Sequence, residues 1–339
     1  MRISLKDIAN KLELSKTTVS WVLSGKGDEK GISATTQEKI FAYAKEVNYQ
    51  PNLLARSLHT GLSGTIGLVI PDISDSFYSQ MAKEIEIEAE KQGYSLMITS
   101  SGSEKEREER MIDLFRARQV DGIIIAPTKQ SSGKIIQMLD EHYPFVTFDR
   151  YFPELNTDYV VIDNEESSYT LVNHLIQKGH RKIALITTNS YLKTMTMRRE
   201  GYERAFTENR LSLDPNLYGE VCFKDYQNNI VNVLKEIVEK VPDVSAFFFT
   251  THILALEAFQ FFYQNHISIN EKNYGLACIH DIPEFRVLAP KINTARMPVE
   301  KMGKEAVKML VHKIECKQKK IKLDNIQTEK LPCLITFRD

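Results

Sequence analysis

The sequence predicts a small all-helical unit at the N-terminus, joined to a larger α/β core built on two parallel sheets. Three observations predict this fold class. Residues 1–48 carry only helical patterns. From Ile66 onward, short β-branched runs alternate with amphipathic helical stretches, which is typical of βαβ units. The predicted strands are also too many for one comfortable sheet, so two lobes of about six strands each are expected.

The first 48 residues predict three short helices, each opened by a serine that can act as its N-cap. Ser4 followed by Asp7 is a capping-box-like start, and Ser15 and Ser33 can cap the second and third helices. A short break is expected at Glu13–Leu14. Three short helices that share one core form a helix-turn-helix unit. The predicted buried positions are Leu5, Ile8, Ala9, Leu12, Val19, Val22, Leu23, Ile40, Ala44 and Val47.

Residues 49–63, YQPNLLARSLHTGLS, are predicted to join the helical unit to the core. Pro51 ends the preceding helix, and Asn52 can cap a further short helix, LLARSL. An isolated helix of fewer than about 12 residues is marginal in water, so this one is expected to form in the presence of a partner. The predicted domains are therefore 1–48, 49–63 and 64–339.

The core is predicted from the alternation of strands and helices. Strands are expected at 66–70, 95–99, 122–126, 145–148, 160–162, 182–187, 246–250 and 274–279. Helices are expected at 79–92, 104–118, 164–178 and 229–240. We expect the chain to cross between the lobes near 149–163 and to return near 293–298.

Composition and charge restrict the classes of function. The chain is 42% hydrophobic and 26% charged, and its net charge is −1. The net charge therefore gives the whole chain no electrostatic attraction to nucleic acid or to anionic membranes. Residues 1–60 nevertheless carry nine Lys and Arg against six Asp and Glu, a weak indication of a nucleic-acid partner. The start MRISLKDIANKL lacks the apolar segment of a signal peptide, and no window has about 18 apolar residues. We expect a cytoplasmic protein without a membrane partner.

No catalytic or metal-binding constellation is recognisable. The four cysteines form no CxxC pair, and none has a histidine at the usual ligand spacing. The histidines are scattered and suggest no nucleophile–base pair. We therefore expect no enzyme activity, no metal and no cofactor. The loop GKGDEKG has the glycines of a phosphate-binding motif, but it follows a helix rather than a strand and has the wrong spacing.

Short ordered stretches carry a resemblance over essentially the whole chain. They are LKDIANKLELSKTTVSWVL, ISATTQEKI, YQPNLLARSL, TIGLVIPDISDSFYSQM, QVDGIIIAP, FVTFDR, HLIQKGHRKIALI and MRREGYERAF. The chain resembles the LacI/galactose-repressor family of bacterial transcription factors. The resemblance implies a helix-turn-helix head, a hinge helix and a two-lobed core like that of periplasmic sugar-binding proteins.

The resemblance implies that the second helix enters the major groove of DNA, where its first residues reach base edges. Lys16 and Thr17 take the two leading base-reading positions, and Thr18 and Ser20 are expected on phosphates. Trp21 stands where the family usually has arginine, and its single N–H donor cannot read guanine bidentately. It is expected either to contact DNA or to pack within the head. The implied DNA contacts of the head are Ser4, Lys6, Ser15, Lys16, Thr17, Thr18, Ser20 and Trp21.

The hinge pattern implies a contact in the minor groove. In the family, hinge helices of two subunits pair there, and a leucine from each opens the central base step. Leu58 is that leucine here, Ala55 allows close approach, Arg56 lies beside it, and Asn52 begins the helix. The alternative is an ordinary linker helix.

A cleft between two α/β lobes, at the carboxyl ends of strands, is the expected ligand site. The second lobe departs from the family pattern, with Thr251-His252 in place of Asn-Asp, His280 in place of aspartate and Met297 in place of a frequent glutamine. The ligand is thus either anionic or an unusual glycan. The implied effector contacts are Asp75, Phe77, Tyr78, Asp149, Arg150, Arg198, Thr251 and His280.

These features predict a homodimeric DNA-binding regulator, more plausibly a repressor than an activator. Two heads would read a near-palindromic operator, and a carbohydrate-like effector would control binding. Two alternatives stay open. One is a regulator whose core binds a protein or an atypical anionic ligand, and the other is a solute-binding protein.

Overall fold

A computed structural model describes the chain over residues 3–49, 61–128, 132–188, 193–222, 225–267, 274–322 and 325–338. The chain divides into two compact units, Met1–Ser63 and Gly64–Asp339. The predicted hinge residues Asn52, Ala55, Arg56 and Leu58 lie outside the described residues, so their assignment stays a prediction.

The first unit, called the head below, contains three helices: α1 (Leu5–Leu12), α2 (Lys16–Leu23) and α3 (Ala34–Glu46). The predicted capping box is present, since the Asp7 amide donates to Ser4 Oγ and the Ser4 amide donates to the Asp7 carboxylate at 2.8 Å. Ser4 Oγ also donates to Asp7 Oδ2 at 2.7 Å, and the hydrogen bonds donated by the Ser4 hydroxyl and by the Ser4 amide lower the pKa of Asp7. Ser15 and Ser33 cap α2 and α3 as predicted. The break after α1 occurs where Glu13 adopts a left-handed conformation, with φ 56°.

The head has one small hydrophobic core. Ile8, Val19, Val22 and Ile40 are fully buried there, with Ala9 and Ala44. The predicted positions Leu5, Leu12, Leu23 and Val47 are only partly buried, because they lie at the margin of a unit too small to cover them.

The second unit, called the core below, begins at residue 64, and strands alternate with helices along it. Its strands are β1 (Thr65–Ile70), β2 (Ser95–Ser100), β3 (Gly122–Ile125), β4 (Phe145–Phe148), β5 (Tyr159–Ile162), β6 (Ile183–Thr188), β7 (Tyr218–Val221), β8 (Ala246–Phe249), β9 (Gly275–Ile279), β10 (Asn293–Arg296), β11 (Thr328–Leu331) and β12 (Leu334–Thr336). Its α-helices are α4 (Ser76–Lys91), α5 (Lys105–Ala117), α6 (Ser132–Asp140), α7 (Asn164–Gln177), α8 (Lys193–Glu208), α9 (Tyr226–Lys240), α10 (His252–Gln264), α11 (Phe285–Leu288) and α12 (Val299–Lys319). A 3₁₀ turn, Pro215–Leu217, precedes β7.

The strands form two six-stranded sheets, as expected. Lobe 1 has the order β11-β5-β4-β3-β1-β2 with parallel neighbours throughout, and it carries α4, α5, α6 and α12. Lobe 2 has the order β12-β10-β9-β8-β6-β7 and carries α7 to α11. Its only antiparallel pairing among the described residues is β10 with β12. Each lobe buries its own apolar interior.

The chain passes between the lobes three times. The first passage, at Asp163, and the second, at Met297–Pro298, fall within the predicted ranges. The third lies at Pro332–Cys333 between β11 and β12 and was not predicted from the sequence. These passages are the covalent connections about which the two lobes can move.

Close packing of α7 on α8 depends on Gly201. A Cβ at this position would lie 2.2 Å from the Glu165 carbonyl oxygen and 2.8 Å from Ser168 Cβ. We expect Gly201→Ala to destabilise the core by about 3 kcal/mol, because overpacking forces two helices apart. Gly133→Ala is the control, since a Cβ there meets no atom within 4 Å among the described residues. Urea unfolding should show the control neutral or slightly stabilised; equal effects would refute the packing argument.

Candidate functional site

The first turn of α2 presents polar side chains to solvent. Lys16 and Thr17 are exposed, and Ser20 is partly exposed one turn further on. Ser15 Oγ accepts from the Thr18 amide at 2.9 Å and lies 2.8 Å from Thr18 Oγ1. These two hydroxyls therefore hold the helix start in place, while Lys16 and Thr17 are available to a partner.

Trp21 lies on the surface of the head rather than in its core. Its side chain is 37% exposed, and Lys30 Nζ lies 5.5 Å from the centre of its ring. Gln37 on α3 holds the loop that carries Lys30. Its Nε2 donates to Asp28 Oδ1 and to the Ile32 carbonyl, both at 2.8 Å. An exposed indole beside a lysine is compatible with either predicted role. At the start of α1, the N-cap residue Ser4 and the helical residue Lys6 are also exposed.

On the lobe 1 side of the core, two acidic residues, Asp75 and Asp149, follow the ends of β1 and β4. Asp75 caps α4 and accepts from the Phe77 amide at 2.8 Å. Tyr78 Oη donates to Asp149 Oδ2 at 2.7 Å, and Arg150 Nε lies 3.6 Å from the same oxygen. Burial raises the pKa of Asp75 to about 6. Asp149 thus has a hydroxyl donor and a cation beside it, whereas the Asp75 carboxylate is largely removed from solvent.

On the lobe 2 side, the main charged residue is a buried arginine on α8, Arg198. Arg198 is 2% exposed. Its Nε donates to Asn164 Oδ1 at 2.8 Å, and its Nη1 donates to the Thr250 carbonyl at 2.6 Å. Burial lowers the pKa of Arg198, and the nearby Asp149 opposes that effect. The two hydrogen bonds fix the orientation of the guanidinium, and Arg198 lines the space between the lobes.

Two neutral histidines face each other in the same space. The rings of His252, at the start of α10, and His280, at the end of β9, have centroids 5.0 Å apart. Burial lowers the pKa of His252 to about 4 and that of His280 to about 3. Asp281, the next residue, binds Arg338 Nη2 at 2.8 Å and is not among the residues lining the cleft.

Contacts between these side chains connect the two lobes. Thr194 Oγ1 donates to the Asp149 carbonyl at 2.9 Å. His252 Nε2 lies 3.3 Å from Ser76 Oγ and 3.5 Å from Asp75 Oδ1, and the rings of Phe77 and His280 meet edge-on at 5.6 Å. Because every contact joins one lobe to the other, a molecule bound here would alter how the lobes meet.

All eight predicted effector residues line one cleft between the lobes, and this cleft is partly open to solvent. His252 and Met297, noted above only as departures from the family pattern, also line it. Thr188 was missed, although it ends β6, where the strand-end rule could have found it. The other missed lining residues are Thr194, Met195, Ile253 and Ile279.

Other kinds of site find no support in the described ranges. No group of three or more His, Cys, Asp and Glu side chains there could hold a metal ion. His312 and Cys316 lie one turn apart on α12, with 3.7 Å between Nε2 and Sγ, so one cysteine does have a histidine neighbour, which was not predicted from the sequence. A search of the described helices finds none with the length and apolar character to cross a membrane.

A helix-turn-helix head attached to a two-lobed α/β core with a polar cleft defines a class of ligand-responsive DNA-binding regulators. Comparison with known proteins agrees. Residues 63–333 match the model of periplasmic binding proteins and the sugar-binding domain of the LacI family, and residues 4–52 match that of bacterial regulatory proteins of the lacI family. The chain belongs to the LacI family of bacterial transcriptional regulators. The second match sets it apart from solute-binding proteins, which share only the core.

Several relatives are similar over nearly their whole length. The ribose operon repressor of Haemophilus influenzae is 28% identical over 92% of both chains. The transcriptional repressor PurR of Vibrio atlanticus is 28% identical over 93% of this chain and 92% of that protein. The crystal structure of the Lac repressor dimer bound to operator and the anti-inducer ONPF has a TM-score of 0.82 at 20% identity, covering 100% of this chain and 98% of that one. The named relatives are regulators of transcription, not enzymes.

Proposed function

We propose that this protein is a repressor that binds an operator as a homodimer. A carbohydrate-like effector in the cleft either lowers or raises its affinity for the operator. One observation carries the proposal. A single chain combines a head that exposes Lys16 and Thr17 with a cleft lined from both lobes. Effector and DNA binding would then be coupled reciprocally, typically by about 1–3 kcal/mol.

The cleft chemistry supports an effector rich in hydroxyl groups. Asp75, Asp149 and Arg198 offer charged acceptors and donors, and Phe77 offers an apolar ring. A ligand that binds both lobes stabilises the arrangement in which both sets of contacts form. That preference is what allows a small molecule to shift a conformational equilibrium.

The dimer and its operator rest on the family resemblance. In the proposed complex, two heads contact half-sites related by a two-fold axis, about one helical turn apart. The hinge residues, outside the described part of the chain, would enter the minor groove with Leu58 as the wedge. The fold likeness to the Lac repressor dimer supports this arrangement.

Selection of binding sites from random duplex DNA tests the proposal. Purified full-length protein is mixed with the pool at fixed physiological salt, with and without a bacterial metabolite extract. The expected product is a near-palindrome with a flexible pyrimidine–purine step at its centre, whose recovery changes with extract. Failure to enrich any sequence under both conditions would contradict the proposal.

Substitution of Lys16 tests which head residue reads bases. Lys16→Ala is expected to change the preferred bases at one position of each half-site, because a base-edge contact carries discrimination of about 1–3 kcal/mol. Lys11→Ala is the control, since Lys11 is also an exposed lysine but lies at the end of α1. Selected-site sequencing compares the two. A uniform loss across all sequences would mean that Lys16 contacts phosphate.

A further inference from the structure

The two walls of the cleft differ in charge. Both carboxylates among the described lining residues, Asp75 and Asp149, belong to lobe 1. The described polar side chains of lobe 2 in the cleft are an arginine, two histidines and three threonines, namely Arg198, His252, His280, Thr188, Thr194 and Thr251. Lobe 2 therefore presents hydrogen-bond donors and one full positive charge, with no opposing carboxylate from its own side.

Arg198 forms no ion pair within the described part of the chain. Its hydrogen-bond acceptors there are a side-chain amide oxygen and a backbone carbonyl, both neutral. Asp149 is the carboxylate whose charge acts on the Arg198 guanidinium. It already accepts a hydrogen bond from Tyr78 and lies beside Arg150 on lobe 1. Buried charges in proteins are normally paired, so this guanidinium is compensated only in part.

The start of α10 adds to the same wall. Thr251, His252 and Ile253 all line the cleft, so the positive end of a 13-residue helix faces it. Its N-cap is the neutral hydroxyl of Thr251, which accepts from the Leu254 amide at 3.4 Å. By contrast, α4 on the facing lobe is capped by the carboxylate of Asp75. The start of α4 thus has a carboxylate as its N-cap, whereas the start of α10 has a neutral hydroxyl.

His280 is buried, and its ring has no hydrogen-bond partner in the part of the chain that the structure describes. Its side chain is 2% exposed and lines the cleft, and both Nδ1 and Nε2 lack a hydrogen-bond partner among the described residues. Its backbone is held in a left-handed conformation, φ 83°, by the amide that donates to the Ala295 carbonyl at 2.9 Å. A neutral imidazole always carries one N–H, so a ligand oxygen beside His280 would satisfy a polar group whose burial otherwise costs free energy.

We propose that the effector is a carbohydrate bearing an anionic group, a carboxylate or a phosphate ester, seated against Arg198, His280 and the start of α10. Its hydroxyl groups face Asp75 and Asp149 on lobe 1. The proposal rests on the proposed function, since it assumes that the cleft holds the effector. It adds the charge and the orientation of the ligand.

Thermal unfolding of the full-length protein tests the ligand class. The probes are glucose and galactose, their acids glucuronate, gluconate and galacturonate, and the esters glucose 6-phosphate and galactose 1-phosphate. A metabolite extract, separated on an anion exchanger into flow-through and salt-eluted fractions, covers other structures. At a hundredfold excess over Kd, a ligand should raise the Tm by about 5 °C.

The outcomes separate the two proposals. A rise in Tm with an acid, an ester or the salt-eluted fraction supports an anionic effector, and the active group of probes distinguishes carboxylate from phosphate. A rise confined to neutral sugars or the flow-through fraction overturns the anionic effector while the cleft remains an effector site. No rise with any probe or fraction overturns both the anionic effector and the effector control in the proposed function.

A matched pair of variants tests the position of the anionic group. Aspartate and asparagine are both good N-caps of similar shape, so Thr251→Asp and Thr251→Asn differ mainly in the charge at the start of α10. Titration uses the anionic probe with the largest effect on wild-type Tm. We expect the Asp variant to bind at least about 10-fold more weakly than the Asn variant. Equal affinities would overturn the placement of the anionic group against lobe 2.

Discussion

Replacing Arg198 by methionine is expected to weaken effector binding by about 100-fold or more while operator binding persists. The guanidinium is buried and fixed by Asn164 and Thr250, and it lines the cleft. A hydrogen bond to a charged group contributes about 1.5–3 kcal/mol, so the loss of two to a ligand gives an effect of this size. The operator should then be bound but no longer respond to effector.

Arg199→Met is the matched control for that result. Arg199 is the next residue on α8, but its side chain is 39% exposed and lies 3.4 Å from Glu203. An exposed ion pair contributes about 0–1 kcal/mol, so this variant should keep its effector response. Calorimetric titration measures effector affinity, and gel-shift titration measures operator affinity. An unchanged response in the Arg198 variant would remove this arginine from the effector site.

The second large effect is expected from Ile40→Asp, which should abolish operator binding and leave effector binding intact. Ile40 is fully buried in the only hydrophobic cluster described for the head. An unpaired carboxylate there costs about 4 kcal/mol or more, which is comparable with the whole stability of so small a unit. The core has separate apolar interiors, so its unfolding should be unaffected.

Phe41→Asp controls for the chemistry of that change, because Phe41 is the next residue on α3 and is 49% exposed. Two measurements decide the outcome: operator affinity by gel shift, and Tm with and without effector. Loss of effector binding in the Ile40 variant would show that the two units are coupled in folding. Retained specific operator binding would contradict the role of the buried cluster.

The local features of the fold could be predicted because their causes are local. The capping residues Ser4, Ser15 and Ser33 act on amides within one turn, so the printed sequence contains both partners. The strands of the buried sheet centres, such as β1 and β8, also follow from their apolar runs.

The four strands that were not predicted from the sequence lack such apolar runs. β7, β10 and β11 interleave polar residues with apolar ones, and β12 has only three residues. Three of these four lie at the edges of their sheets, where one side needs no strand neighbour and the sequence is less restricted. Their pairing depends on residues far along the chain, which a local pattern does not contain.

The eight expected effector residues came from the family resemblance and the rule that ligands bind at strand ends. The structure brings them into one cleft, but it alone reveals the partners that decide their chemistry. Tyr78 meets Asp149 across 71 positions of sequence, and Ser76 meets His252 across 176. No periodicity links residues so far apart.

The sequence by itself determined the helix-turn-helix head, the alternation of strands and helices and the division into two lobes, because caps, apolar periods and turn residues act over a few positions. Only the tertiary structure decided which wall of the cleft holds the carboxylates and that Arg198 has neutral partners. It alone also showed that neither nitrogen of His280 has a partner among the described residues. Charge compensation and hydrogen-bond satisfaction in a buried site depend on atoms brought together from both lobes, and that proximity exists only once the chain has folded.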